Sequence, residues 1–223
     1  MRPVTDKHNI SRAKLSYLID ATVAVEDKDF FQHGGFDYSR IAGAVLADIK
    51  AGSKVQGAST LTQQYARNLY LTHEKTWTRK INEMLYAYRL ELFYSKEEIL
   101  EGYLNTVYYG HGMYGVEAAS RYFFGKSSKD LTLSEASMLA GVPKGPTYYS
   151  PLNNLEKATN RQHVILRLMD EQGKITAEEK TQLVENFHRF NSLKHSTSLP
   201  NAFTERGLYM LATTSPLQHQ KPR

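Results

Sequence analysis

The 223-residue chain contains no cysteine. Disulfides, zinc–thiolate centres and a thiol nucleophile are therefore excluded, and the compartment stays open because many extracytoplasmic proteins also lack Cys. The chain also lacks any run of roughly 18 apolar residues that would cross a bilayer. Its opening, Met1 to Ile10, holds no apolar stretch that would serve as a signal-peptide core. Membrane attachment is therefore peripheral or lies outside this chain. The eight His are scattered and none has a His-Glu-x-x-His spacing. Internal repeats and low-complexity tracts are absent. No alternating β-branched run or Asn-Gly hairpin signal occurs, so the fold class reads as mainly α.

What is present is ordinary for a folded domain. Hydrophobic residues make up 41% and charged residues 23%, enough to bury a core and too apolar for intrinsic disorder. A formal net charge of +5 and a pI near 9.2 favour anionic partners such as anionic lipid, phosphorylated substrates or nucleic acid. Tyr numbers 15 against one Trp, and tyrosine hydroxyls suit half-buried grooves as well as ordinary amphipathic packing.

Apolar spacing predicts helices along most of the chain. One runs from Leu15 to Val25 and ends near Glu26 and Asp27. A second begins at an Asp37 N-cap, carries the stripe Ile41, Val45, Leu46 and Ile49, and stops at Gly52. Ser59 or Thr60 caps a helix through Leu69, and Thr78 caps a long one through Phe93. Ser95 and Glu98 form a capping box for a helix through Leu104. Further helices are predicted over Val116–Phe124, Leu133–Gly141 and Glu156–Glu171, with Thr176 and Glu179 capping a last short one. Residues 52–57 read as a loop, and from His188 the pattern dissolves into a tail or linker.

Three segments carry candidate chemistry. Glu26 follows an apolar run and precedes Phe30 and Phe31, where partial withdrawal from water suits a general base or acid near neutral pH. Its neighbour Asp27 reads as structural, as does His33. Gly57-Ala-Ser-Thr-Leu-Thr-Gln-Gln64 offers small residues, hydroxyls and amides at a helix start, a pattern that serves phosphate or sugar binding as well as simple capping. In Arg79-Lys80-Ile-Asn-Glu83 the default is a surface ion pair worth a few tenths of a kcal/mol. The alternative is a basic patch beside a second carboxylate, suited to a diphosphate and a divalent metal. Ser11-x-x-Lys14 matches the pattern of penicillin-recognising enzymes, but no Lys-Thr-Gly follows, so it reads as coincidence.

The order of these segments resembles the peptidoglycan glycosyltransferases, glycosyltransferase family 51. The resemblance rests on Glu26-Asp27-x-x-Phe30-x-x-His33-x-Gly35, the Gly57–Gln64 segment, Arg79-Lys80-x-x-Glu83 and Lys96-x-x-Ile99-Leu100-x-x-Tyr103-Leu104-Asn105. Gly115–Lys126 and Leu139–Pro143 extend it, so that it spans about Ile19 to Asp170. The resemblance implies a lysozyme-like large lobe with a smaller membrane-facing jaw lobe at roughly 36–57, within a catalytic domain over 1–187 followed by a tail over 188–223. It implies polymerisation of lipid II into β-1,4-linked glycan strands, with inversion and release of undecaprenyl diphosphate.

By the same resemblance Glu26 is the general base. Arg67, Arg79 and Lys80 are the cations for the diphosphate, with Lys54 and Arg121 as lesser contacts and Ser59 and Gln64 as hydrogen-bonding groups. Glu83 is the second glutamate, orienting the diphosphate or a divalent cation such as Mg2+ or Mn2+, and no organic cofactor is expected. The Lys96–Asn105 motif reads as scaffold. The α2-region stripe fits either an interfacial helix or core packing. The implied partners are lipid II, the growing strand, the membrane surface and cell-wall synthesis proteins, with no nucleic acid, at the outer face of the bacterial cytoplasmic membrane.

Family members carry an N-terminal membrane anchor, and bifunctional penicillin-binding members continue into a transpeptidase domain. Neither is found here. The chain therefore reads as a monofunctional enzyme without its anchor, an isolated domain of a longer protein, or the product of a truncated gene. A catalytically impaired remnant that binds lipid or partner proteins is the alternative. A lysozyme-like lytic hydrolase has no use for Arg67, Arg79 and Lys80, and a nucleic-acid-binding domain would need a contiguous basic helix.

Overall fold

Hydroxyl side chains write most of the helix starts in this protein. The computed structural model describes residues 16–51, 59–70, 76–176, 178, 179 and 181. Among the described residues there is no strand, only an isolated antiparallel bridge between Tyr108 and Tyr114, so the mainly α expectation holds. Eight α-helices are described: α1 Ser16–Glu26, α2 Tyr38–Ala51, α3 Leu61–Tyr70, α4 Trp77–Phe93, α5 Lys96–Thr106, α6 Val116–Phe124, α7 Leu133–Gly141 and α8 Leu155–Glu171.

The caps explain where the helices begin. Of the two candidates before α3, Thr60 is the cap: its hydroxyl accepts from Gln63 N–H at 3.2 Å, and the Gln63 side chain accepts from Thr60 N–H at 3.1 Å. This is the reciprocal capping box. It leaves the Ser59 hydroxyl for other work. At α4 the expected Thr78 cap gives way to Thr76, whose hydroxyl accepts from Arg79 N–H at 3.1 Å, and Thr78 falls inside the first turn. Ser95 and Glu98 form the expected box. Thr132 and Glu135 form another at α7.

The chain divides into two compact units, residues 22–119 and residues 1–21 with 120–223. In the first, α3 packs against α4 and α5, with Leu61, Ala66, Ala87, Leu90, Ile99 and Tyr103 buried. The close approach of α5 needs Gly102, where any β-carbon would collide with the Tyr65 ring. A tight turn returns the chain from α5 to α6, and Gly115, at φ 78°, lies against the Asn105 carbonyl where a side chain would not fit.

In the second unit α7 packs on α8 with Leu139, Ile165 and Met169 buried. Gln162 donates to the Ser134 carbonyl at 2.7 Å. The Tyr17 hydroxyl donates to Glu179 at 2.7 Å, and Lys174 pairs with Asp20 at 3.3 Å. The 188–223 tail, the boundary at 187 and Ser11-x-x-Lys14 lie outside the described residues.

Candidate active site

Asp27, the residue after α1, bolts that helix end to the start of α3. Its buried carboxylate accepts from Leu61 N–H at 2.9 Å and pairs with His33 Nε2 at 2.9 Å. Both residues serve the frame, as their reading anticipated. Thr60 adds a second tie, donating its hydroxyl to the Gly35 carbonyl at 2.7 Å. Lys96 pairs with Glu91 at 2.7 Å and sits 4.5 Å over the Phe30 ring, which agrees with a scaffold role for its motif.

On this frame Glu26, the last residue of α1, is half-buried. Gln64 in the first turns of α3 donates its amide to the Glu26 carboxylate at 3.0 Å. On the other side of that amide, the Tyr103 hydroxyl lies 3.5 Å from Gln64 Oε1, a long contact. The Tyr103 phenol is held well above its ordinary range, first by burial and then by the Glu26 carboxylate, and the Arg67 charge offsets part of this. Tyr103 therefore shares its surroundings with Glu26, Gln64 and Arg67. Sequence reasoning assigned its segment to scaffold. The missed signal was a tyrosine on the inward face of α5, where a buried hydroxyl needs a partner.

A second cluster gathers on α4. The Glu83 carboxylate is fully buried, with one oxygen accepting from Arg79 Nη1 at 2.8 Å and the other from Lys80 Nζ. Lys80 also reaches the Ser59 hydroxyl at 3.0 Å. The default expectation of a surface ion pair is overturned here, because α4 packs on α3 through this face and carries Glu83 inside. Withdrawing a carboxylate from water is costly unless it is well paired, and two cations supply the pairing. Arg79 Nε is buried with no acceptor among the described residues. Such an orphaned donor is expensive to leave unmet.

This arrangement does not suit Glu83 as a metal ligand. Both its oxygens are engaged by cations that would repel a divalent ion, and among the described residues no group of three or more His, Asp or Glu gathers as a metal site. Arg121 lies exposed on α6, in the other unit. Lys54 lies outside the described residues.

The family model described as Transglycosylase matches residues 4–170. The chain belongs to this family. Its similarities run to penicillin-binding proteins. Penicillin-binding protein 2D of Bacillus subtilis (strain 168) is 58% identical over 81% of this chain and 26% of its own length. Penicillin-binding protein 1F of the same organism is 51% identical over 72% of this chain and 22% of its own. Penicillin-binding protein 1A of Neisseria lactamica is 49% identical over 77% of this chain and 22% of its own. The chain thus spans about a quarter of the length of the curated relatives it matches. Within this transglycosylase domain, the clusters around Glu26 and Glu83 both draw on the start of α3, through Gln64 and Ser59 respectively.

Proposed function

We propose that this chain is a peptidoglycan glycosyltransferase that polymerises lipid II into β-1,4-linked glycan strands, with inversion. The observation that carries the reading is the pairing of one oriented, half-buried carboxylate with a separate cationic cluster on a neighbouring element. Glu26 takes the proton from the 4-hydroxyl of the acceptor sugar while that oxygen bonds to the donor's anomeric carbon. The bond from that carbon to the diphosphate oxygen breaks on the opposite face, and undecaprenyl diphosphate leaves. Gln64 holds the Glu26 carboxylate by donating to one of its oxygens, so an unshared oxygen is available to the incoming hydroxyl.

Charge developing on the leaving diphosphate needs preorganised cations. Arg79 and Lys80 supply them, kept side by side by Glu83, with Arg67 near the base and Ser59 as a hydroxyl ligand. Lys54 and Arg121 are further candidates for contact with the lipid headgroup and the growing strand. No step requires a metal at Glu83. The membrane-facing jaw corresponds to residues 36–57, beside the lysozyme-like lobe. On α2, Leu46 is 59% and Ile49 is 71% exposed, which favours an interfacial helix over core packing. Among the described residues no helix is long and apolar enough to cross a membrane. The enzyme works at the outer face of the cytoplasmic membrane, with other cell-wall synthesis proteins as partners.

The test is incubation of the purified chain with labelled lipid II in detergent, with and without a chelator, reading strands on a gel. Glu26→Gln is expected to reduce polymerisation by about 10²-fold to 10⁴-fold with unchanged circular dichroism. Turnover at the unmodified rate in that variant would overturn the assignment of the base.

A further inference from the structure

Outside the catalytic clusters, the feature that most needs an explanation is the outward face of α4. Trp77, Ile81, Leu85, Tyr88 and Leu92 are all more than half exposed, Trp77 at 87%. At 100° per residue they fall within an arc of about 80°, running about 22 Å along the helix. The buried residues Glu83, Ala87 and Leu90 occupy the opposite side. Single exposed apolar residues are unremarkable, but a continuous stripe of this size marks a contact surface.

Charge narrows the occupant. Both acids of α4 are engaged with cations: Glu83 is buried, and Glu91, largely buried, pairs with Lys96. The one exposed charge on the helix is Arg89. Trp and Tyr at the margins of an apolar face, with cationic and no acidic exposed charge, match the chemistry of an anionic lipid surface. The same helix carries Arg79 and Lys80 in its first turn. A diphosphate held there must send its polyprenyl chain into a bilayer, and Trp77 and Ile81 lie within a turn of those cations.

We infer that the outward face of α4 is a membrane-docking surface, lying along the headgroup region of an anionic bilayer next to the diphosphate site on the same helix. The choice of a bilayer over another protein rests on the lipid-diphosphate reading proposed above.

Trp77 is the single tryptophan of the chain, so its fluorescence reports this face alone. The probe is vesicles of phosphatidylglycerol and phosphatidylethanolamine without lipid II, mixed with the full 223-residue chain. The expected result is co-sedimentation, a blue-shifted Trp77 emission and quenching by brominated acyl chains. Replacing Ile81→Ser and Leu85→Ser together, at exposed positions, is expected to weaken vesicle binding about 10-fold.

Co-sedimentation with Trp77 emission unchanged from that in buffer would overturn the inference, as would undiminished binding by a folded double variant. A blue-shifted emission without vesicles, accompanied by a doubled mass in light scattering, would assign the face to a second copy and also overturn it. If the double variant does not fold, Trp77 quenching in the unmodified chain decides alone. Because these vesicles contain no lipid II, docking is read separately from turnover. Docking without polymerisation would break the proposed activity, and polymerisation without Trp77 insertion would break only this inference.

Discussion

Two glutamates in different units look alike by burial and partner, and they differ in what they serve. Glu135 and Glu83 are both fully buried, and each is paired with a lysine. Glu135 completes a cap: it accepts from Thr132 N–H at 2.9 Å and from Lys126 at 2.8 Å, so every partner has a structural need. Glu83 lies mid-helix, where backbone N–H groups are already satisfied, and its partners are two cations that gain nothing structural from being side by side. Burial and ion pairing therefore do not by themselves mark chemistry. A buried carboxylate that concentrates charge without completing any backbone does.

The largest expected contrast comes from neutralising each in turn. Glu83→Gln should cut lipid II polymerisation by about 10²-fold or more, while Glu135→Gln should lower thermal stability by about 2 kcal/mol and leave turnover of the folded enzyme unchanged. Polymerisation assays and thermal melts on both variants check this. Equal losses of activity would erase the distinction.

The two units also contain a matched pair of tyrosines. Tyr103 is raised mainly by burial, whereas Tyr17 is raised mainly by its hydrogen bond to Glu179. A phenol whose folded pKa exceeds its unfolded value stabilises the fold fully below pH 10 and loses that contribution as pH rises through the folded value. Alkaline unfolding of Tyr103→Phe should therefore begin at higher pH than in the unmodified chain. Its turnover should fall a few-fold, about 3-fold to 10-fold, because the Gln64 amide loses a partner. Tyr17→Phe should leave turnover intact. Tyrosinate absorbance and a pH–rate profile separate the two.

The smallest effect belongs to the caps. Ser95→Ala and Thr132→Ala should each cost about 1 kcal/mol. The Glu98 carboxyl is held below its ordinary value of 4.5, chiefly by the Ser95 backbone N–H. The stability it contributes is therefore present above pH 4.5 and fades as pH falls through the lowered folded value. Melts of Glu98→Ala and the unmodified chain should converge on acidification.

Much of the fold was legible because its signals are local. Ser95-x-x-Glu98 reads directly as a box, and the apolar periods of α6, α7 and α8 give their extents to within a residue. Thr132-x-x-Glu135 carried the same signal. The Thr78 reading failed because two threonines flank Trp77, and spacing alone does not say which adopts the extended N-cap backbone. Glu26, Gln64, Arg79, Lys80 and Glu83 were legible as candidates from motif order. The burial of Glu83 was not, since i, i+3 and i, i+4 pairing is the same on an outer face and an inner one. Tyr103 next to Gln64 depends on α3 meeting α5, a contact 39 residues apart in the chain that no local pattern encodes.

The Asp27 carboxylate offers a way to time the site. The Leu61 amide it accepts is buried and belongs to the first turn of α3, where main-chain acceptors are lacking. Its hydrogen exchange therefore waits for α1 and α3 to part. A residue that takes no proton during the reaction thus makes one backbone amide a clock for how long the base and its orienting glutamine stay in register.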